Sequence, residues 1–403
     1  MPTFSSCFEQ HSADVRAVVA RTQCPSMPRL RELLDPSRTA QFAISELAEL
    51  LEIGRTPTAR EQFDALRTFV FSHYRKPEGN SVRYVAPIYV SSFCVDTCAY
   101  CNFSALRTAT ERKRLDLGEL REEIDSVIAQ GARIIELVYA SDPEFTTERL
   151  VQCVRLVADA LKGAPGSGVL LCTEYLTTDA YLALKDAGLF GIVQWDETLD
   201  RVAYEHWHTT SPHKREFKLR MDNHDRAQSA GLSVATGALL GLGEYRYDVL
   251  MQVTKARHLA AEYGRAPFVF GVPRLKPVAG HELHLQTNVS DLAYETILMV
   301  YRLAMPDSGR WLQTRETFSM NVANLLDGDV FTYRCGEVKP GGYHHLDKPQ
   351  PPAAIKAGQF GVNELERDYV ERELAAHNFQ IDYAWNKQSD KRKVGQPEEM
   401  TLG

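Results

Sequence analysis

This sequence predicts an α/β fold built as a (β/α)8-type barrel, with a helical extension before it and a cover segment after it. Three observations carry that expectation. From about residue 82, apolar runs of strand length alternate with amphipathic stretches of helix length. About seven such units fill ~240 residues, which suits a closed or nearly closed barrel better than a short open sheet. The composition is that of an ordinary globular chain: 403 residues, 44% hydrophobic and 25% charged.

Residues 1–80 read as a helical extension. Leu30 to Leu34, Ile44 to Ile53 and Phe63 to Phe71 carry apolar side chains at three- and four-residue spacing, punctuated by Pro25, Pro28, Pro36 and Pro57. Residues 81–345 form the predicted barrel. Its first strand is the β-rich run Arg83 to Val90. Strands then follow at Ile134 to Ala140, Gly168 to Cys172, Phe190 to Trp195, Val234 to Gly241, Phe268 to Leu275 and Trp311 to Thr314. Between them lie helix-like Leu117 to Ala129, Leu150 to Leu161, Tyr181 to Ala187, Phe217 to Ala230, Val249 to Glu262 and Leu292 to Ala304. Strand-then-helix order argues for parallel strands with crossover helices. Residues 346–403 begin with a Pro-rich linker at Lys348 to Pro352, continue in one helix over Val362 to Ala376, and end in a polar, flexible tail.

Charge and hydropathy exclude several classes. Forty-six basic against 53 acidic side chains leave a net charge of −7, a poor basis for gripping a polyanion, so no nucleic-acid partner is expected. Mean hydropathy is −0.30 and no run of ~18 apolar residues occurs, so no membrane partner is expected. Met1-Pro2-Thr3-Phe4-Ser5-Ser6 lacks the basic and apolar segments of a secretory signal. A reducing, cytoplasmic setting follows, and the eight cysteines read as free thiols.

Five cysteines are scattered and read as buried or inert thiols. Cys94, Cys98 and Cys101 form Cys-x3-Cys-x2-Cys just past the first predicted barrel strand, at the end where barrel enzymes do their chemistry. A structural zinc wants four ligands, usually in two pairs, and no second pair exists here. A three-thiolate zinc and a chance cluster remain as alternatives. Three thiolates also suit three corners of a [4Fe–4S] cube, leaving one iron open, whereas electron-transfer clusters usually take four cysteines.

With Tyr100 before the third cysteine, this motif resembles that of the radical S-adenosylmethionine (SAM) enzymes. The resemblance implies a [4Fe–4S] cluster on Cys94, Cys98 and Cys101, SAM on the open iron, and Tyr100 beside the adenine. It is closer still to the aromatic amino-acid lyases of that family. Pro87 to Cys94, Cys101-Asn102-Phe103-Ser104, Trp195-Asp196-Glu197-Thr198, Gly237 to Leu242, Pro273 to Pro277, Thr314-Arg315-Glu316 and Lys339 to Tyr343 occur in the family's order over roughly residues 60–345. The group includes 2-iminoacetate synthase, the [FeFe]-hydrogenase maturase and a tryptophan lyase.

The resemblance implies cleavage of the Cα–Cβ bond of an aromatic amino acid, with tyrosine first and tryptophan as the alternative. It gives Arg315 the substrate carboxylate, a role suited to a planar bidentate cation; pairing with Glu316 is the bland alternative. Tyr89 is placed near the bound amino acid or in the barrel filling, and Arg220 at the SAM carboxylate or on a helix surface. Thr332 and Tyr333 are candidate pocket residues, and Asp196 and Glu197 candidates for the substrate amine or the SAM ribose. Gly237 to Gly241 offers close backbone approach to the cofactor or plain packing.

Two departures stand out. The family's Gly-Glu after the second strand is replaced by Val138-Tyr139-Ala140-Ser141-Asp142, with Ser141 or Asp142 as substitutes for the acid near the SAM amino group. Asn102 stands where a glycine is usual, which left-handed backbone would tolerate. The first departure suggests a divergent paralogue. Only Cys335 lies near the C-terminal part where the maturase carries its second cluster motif, which disfavours that activity. Implied partners are a flavodoxin- or ferredoxin-type reductase and an imine-consuming enzyme such as a thiazole synthase. A cluster-carrying electron-transfer protein is the competing class, but it gains nothing from an open iron.

Overall fold

The computed structural model of this chain describes residues 2–38, 41–276, 288–333, 338–343, 358–360 and 365–385. Pro277, Cys335, His344, His345, the Lys348–Pro352 linker and the tail beyond 385 lie outside the described residues.

Among the described residues ten strands, all paired in parallel, make one sheet. They are β1 (Asn80–Tyr84), β2 (Ala86–Ser91), β3 (Ile134–Tyr139), β4 (Gly168–Cys172), β5 (Leu189–Val193), β6 (Ser233–Gly237), β7 (Val269–Gly271), β8 (Gly309–Leu312), β9 (Val330–Phe331) and β10 (Phe379–Asp382). Their order is β10-β1-β9-β8-β7-β6-β5-β4-β3-β2. β1 and β2 stand far apart in this row, yet only Val85 separates them in the chain. The sheet must therefore curl until its far ends meet, and Val85 bridges the gap. The Thr332 hydroxyl donates to the Val85 carbonyl at 3.3 Å, tying the end of β9 to that bridge.

Inward-facing residues recur every second position, as the strand pleat requires. Val85, Ile134, Leu170, Val193, Ala235, Val269, Trp311 and Val330 fill the barrel bottom. Helices cover the outside, and their apolar stripes meet the outward faces of the strands. One helix start shows why the boundaries fall where they do. Asp116 accepts from the Glu119 amide at 2.8 Å while Glu119 accepts from the Asp116 amide at 3.1 Å, a reciprocal cap for Leu117–Ala129.

The N-terminal extension is helical, in α1 (Phe4–Arg21), α2 (Met27–Leu33), α3 (Ile44–Arg55) and α4 (Arg60–Tyr74). α1 and α3 pack on the barrel helices Tyr245–Tyr263 and Asp291–Ala304. A methyl group at Gly54 would stand 2.7 Å from Thr296 Oγ1, so glycine permits that close helix crossing. In the C-terminal region, Val362 to Ala376 was expected to be helical, and the described helix is Arg367–Ala376. Two strands were not expected: β9, only two residues long, and β10, which pairs with β1 and makes the C-terminal segment part of the sheet.

A buried ion cluster locks the barrel side where β8 and β9 meet. Asp329 accepts from Arg302 at 2.6 Å and from Arg310 Nε at 3.1 Å, and its oxygens also take the Arg310 and Leu326 amides. The two guanidiniums hold its carboxyl below the usual range despite burial. Asp329→Ala strands two buried cations, and we expect a loss of about 3–5 kcal/mol of unfolding free energy, read from the denaturant midpoint.

Candidate active site

The C-terminal ends of the strands open into one cavity with about 1320 Å³ of space not filled by atoms, its open mouth included. Strand alternation sends Pro87 and Tyr89 of β2, Glu136 and Val138 of β3, Cys172 of β4 and Trp311 of β8 into it. A methyl at Gly271 would fall 2.3 Å from the Trp195 ring, so glycine lets the indole lie on the β7 backbone. Trp195 meets Trp311 edge-to-face at 5.7 Å, giving the cavity an aromatic side.

The loop after β2 brings Cys94, Cys98 and Cys101 to this cavity. All three thiols are free. Their polar contacts are weak: Cys98 Sγ lies 3.8 Å from Ser211 Oγ, and Cys101 Sγ 3.8 Å from Gln359 Nε2. Burial pushes the Cys94 and Cys98 thiols up to about 11 and raises Cys101, with neighbouring thiols adding to the shift at Cys94 and Cys101. Among the described residues no group of three or more His, Cys, Asp or Glu side chains could hold a single metal ion as placed. Three lightly engaged thiols around open space fit a larger body, such as an iron–sulfur cube, better than one zinc. Tyr100 lines the cavity too, its hydroxyl held by His208 Nε2 at 2.6 Å and its ring edge-to-face with Trp207.

One wall is strongly polar. Arg220 reaches Glu174 at 3.3 Å, Glu197 at 3.5 Å and the Trp195 carbonyl at 2.9 Å. Lys214 donates to Glu197 at 2.5 Å. The Ser141 hydroxyl contacts both Asp96 and, at 2.6 Å, Glu174. A hydroxyl has one proton to give, so two carboxylates crowd one donor. Three carboxylates against two cations leave this wall with surplus negative charge, able to receive an ammonium. Glu197 itself sits at φ 66, a left-handed backbone uncommon outside glycine and frequent at functional positions.

The opposite wall carries Arg315, three residues past β8. Its guanidinium lies 3.7 Å from the Phe360 ring centroid, its Nε is buried without a hydrogen-bond partner, and no carboxylate among the described residues pairs with it. Glu316 is engaged elsewhere, by Arg274 and Lys276. The cover segment supplies more of this wall. Tyr89 donates to Gln359 at 3.1 Å, and the Asn102 amide donates to the Gly358 carbonyl at 2.8 Å.

Of the residues expected from sequence, Cys94, Cys98, Cys101, Tyr89, Tyr100, Ser141, Arg220, Arg315, Glu197 and Thr332 all line this one cavity. Others are differently placed. Asp142 is not among the lining residues: Arg114 holds it at 2.7 and 2.8 Å and Ser91 at 2.5 Å. Asp196 is fully buried against Lys255, Thr236 and Gln252 behind the strands. Tyr333 faces outward, with its hydroxyl 2.8 Å from that of Tyr383. Arg220 is buried rather than on a helix surface. Asn102 does not use left-handed backbone; among the described residues outside glycine, only Glu197, Val338 and Asn378 do. A Cβ at Gly237 would meet the Gly271 carbonyl at 2.3 Å, so this glycine serves strand packing.

Sequence reasoning missed Glu136, Glu174, Lys214, His208 and Gln359. Only Glu136 left a local signal, as a lone acid inside an apolar strand.

Several known proteins are similar to this chain in sequence or in fold. Residues 271–328 match the Biotin and Thiamin Synthesis associated domain. The chain is 26% identical over 330 residues to the 2-iminoacetate synthase of Salmonella typhimurium, covering 78% of this chain and 85% of that one. It is 27% identical over 311 residues to the Escherichia coli 2-iminoacetate synthase, covering 73% and 80%. The fold is similar to that of the FeFe-hydrogenase maturase HydG from Carboxydothermus hydrogenoformans, with a TM-score of 0.81 at 21% identity over 93% of this chain and 85% of that one.

Proposed function

From its kinship with the 2-iminoacetate synthases, within the radical SAM enzymes, we propose that this chain is a carbon–carbon lyase cleaving the Cα–Cβ bond of tyrosine to 2-iminoacetate and p-cresol. The observation that carries the reading is Arg315: a cavity guanidinium with no carboxylate partner among the described residues, beside a neighbour already engaged by Arg274. A free amino acid brings the missing carboxylate, and the guanidinium fork grips it bidentately. Held there, the substrate is oriented before reaction, which lowers the entropic part of the barrier.

When bound, a [4Fe–4S] cluster on Cys94, Cys98 and Cys101 with SAM at its open iron supplies a 5′-deoxyadenosyl radical as hydrogen-atom acceptor. Around that centre each wall has its own work. Glu174 and Ser141 offer acceptors to the SAM ammonium, and the surplus negative charge of their wall supports this. Arg220 and Lys214 stand on the same wall with donors for its carboxylate. Tyr100, its hydroxyl tethered by His208, presents its ring to the adenine. Trp195, Trp311, Pro87 and Val138 keep water from the reacting atoms. Tyr89 positions the substrate from the side of the cover segment.

A flavodoxin- or ferredoxin-type protein would deliver the electron in a reducing, cytoplasmic setting. An enzyme of the thiazole-synthase class would consume the hydrolysable imine. No helix among the described residues is long and apolar enough to cross a membrane.

The test is anaerobic. Reconstituted protein with SAM, dithionite and L-tyrosine should yield 5′-deoxyadenosine and p-cresol in equal amounts by mass spectrometry, with L-tryptophan left intact in a parallel reaction. Deoxyadenosine formed with tyrosine unconsumed would overturn the assignment.

A further inference from the structure

Glu136 is a carboxyl group facing the cavity with no partner among the described residues. It is the middle inward residue of β3, with Ile134 below it in the barrel filling and Val138 above. It is 6% exposed. No hydrogen bond or ion pair reaches its side chain among the described residues. Other polar groups nearby are spoken for. Thr332 Oγ1 accepts from Trp311 Nε1 at 2.9 Å and donates to Val85, and Gln194 Nε2 donates to the Arg220 carbonyl at 3.3 Å. An acid placed in an apolar strand without a partner is costly to fold around, so it needs another reason to be there.

Its depth suggests the reason. Glu136 lies directly across from Pro87, and Tyr89 lies two residues nearer the mouth on the same strand. At ~3.3 Å per residue that is ~6.6 Å, comparable to the reach of an aromatic amino-acid side chain from its Cα. Val138 and Cys172 stand in register with Tyr89, and with Trp195 and Trp311 they line the same cavity, giving apolar walls that suit a flat ring. Burial alone pushes the Glu136 carboxyl up to about 8. It is therefore mostly protonated at neutral pH, with one O–H to give and lone pairs to receive. A phenol has the same two capacities.

We propose that Glu136 is a specificity-determining residue that reads the phenol hydroxyl at the far end of the substrate side chain. The inference rests on the amino-acid lyase reading above and adds what selects among amino acids.

Binding without turnover tests it. Cluster-reconstituted protein with SAM and no reductant is titrated calorimetrically with L-tyrosine, L-phenylalanine and L-lysine, using the wild type, Glu136→Leu and the isosteric Glu136→Gln. Iron content and circular dichroism check that each variant is loaded and folded. The wild type should bind tyrosine about tenfold or more tighter than phenylalanine. Glu136→Leu should erase that ratio by weakening tyrosine alone, and Glu136→Gln should keep most of it. An unchanged ratio in Glu136→Leu overturns this inference and leaves the lyase reading standing. A wild type that binds none of the three overturns both. Tight lysine binding that is lost in Glu136→Leu overturns the phenol assignment.

Discussion

An Arg315→Ala variant is expected to lose about 3–5 kcal/mol of transition-state stabilisation with tyrosine, a fall of roughly a few hundred- to a few thousand-fold in kcat/KM. The size follows from what the substitution strands. The substrate carboxylate would enter a cavity whose other charged wall is rich in carboxylates. Arg315→Lys should recover little, because a point charge replaces a planar fork that also stacks on Phe360. Iron content and SAM binding should stay near wild-type levels in both variants, since among the described residues the Arg315 side chain makes no hydrogen bond to the three cysteines or to Arg220, Glu174 or Ser141. Steady-state kinetics beside an iron assay checks this. Unchanged kcat/KM would show that the carboxylate is held elsewhere.

Cys98→Ala should lose the cluster and all measurable turnover, the largest effect of any single substitution proposed here. Cys98 is buried in a cluster with Tyr100, Leu239, Leu242 and Leu275, and the thiol that also packs against that cluster, Cys101, belongs to the motif itself. Two thiolates hold an iron–sulfur cube poorly. The controls are informative because the chain carries other buried cysteines. Cys153 sits on the helix Thr147–Ala160 behind the sheet, and Cys172 lines the cavity two strands away from the one that leads into the motif loop. Cys153→Ala and Cys172→Ala should retain full iron content and the visible absorbance of a reconstituted cluster. Loss of iron in Cys172→Ala would enlarge the ligand set.

What could be read in advance was whatever is local in sequence. The three cysteines fall within eight residues, so their shared loop needed no tertiary knowledge. Strands such as Ile134–Tyr139 and Gly168–Cys172 are apolar runs buried on both faces, and such runs stand out. β9 and β10 do not: one is two residues long, and the other has a single buried residue, Phe379. The run Arg83 to Val90 reads as one strand, whereas the barrel breaks it at Val85 to close the ring. Glu174 illustrates the harder case. It lies 33 residues from Ser141, and the two meet only because Val138 registers against Cys172 across β3 and β4. The Tyr100–His208 pair, 108 residues apart, is a product of topology in the same way.

The pairing of Asn80 with Phe379 has a consequence for the chain's birth. The two partners are roughly 300 residues apart, an extreme of non-local contact, which slows folding. At about 5–20 residues per second, a ribosome that has finished β1 needs roughly 15–60 s more to deliver β10. For that interval the side of β1 that β10 will cover stays an open sheet edge. An unpaired edge of that kind is a template for pairing with other chains, so its protection during translation bears on the yield of folded protein.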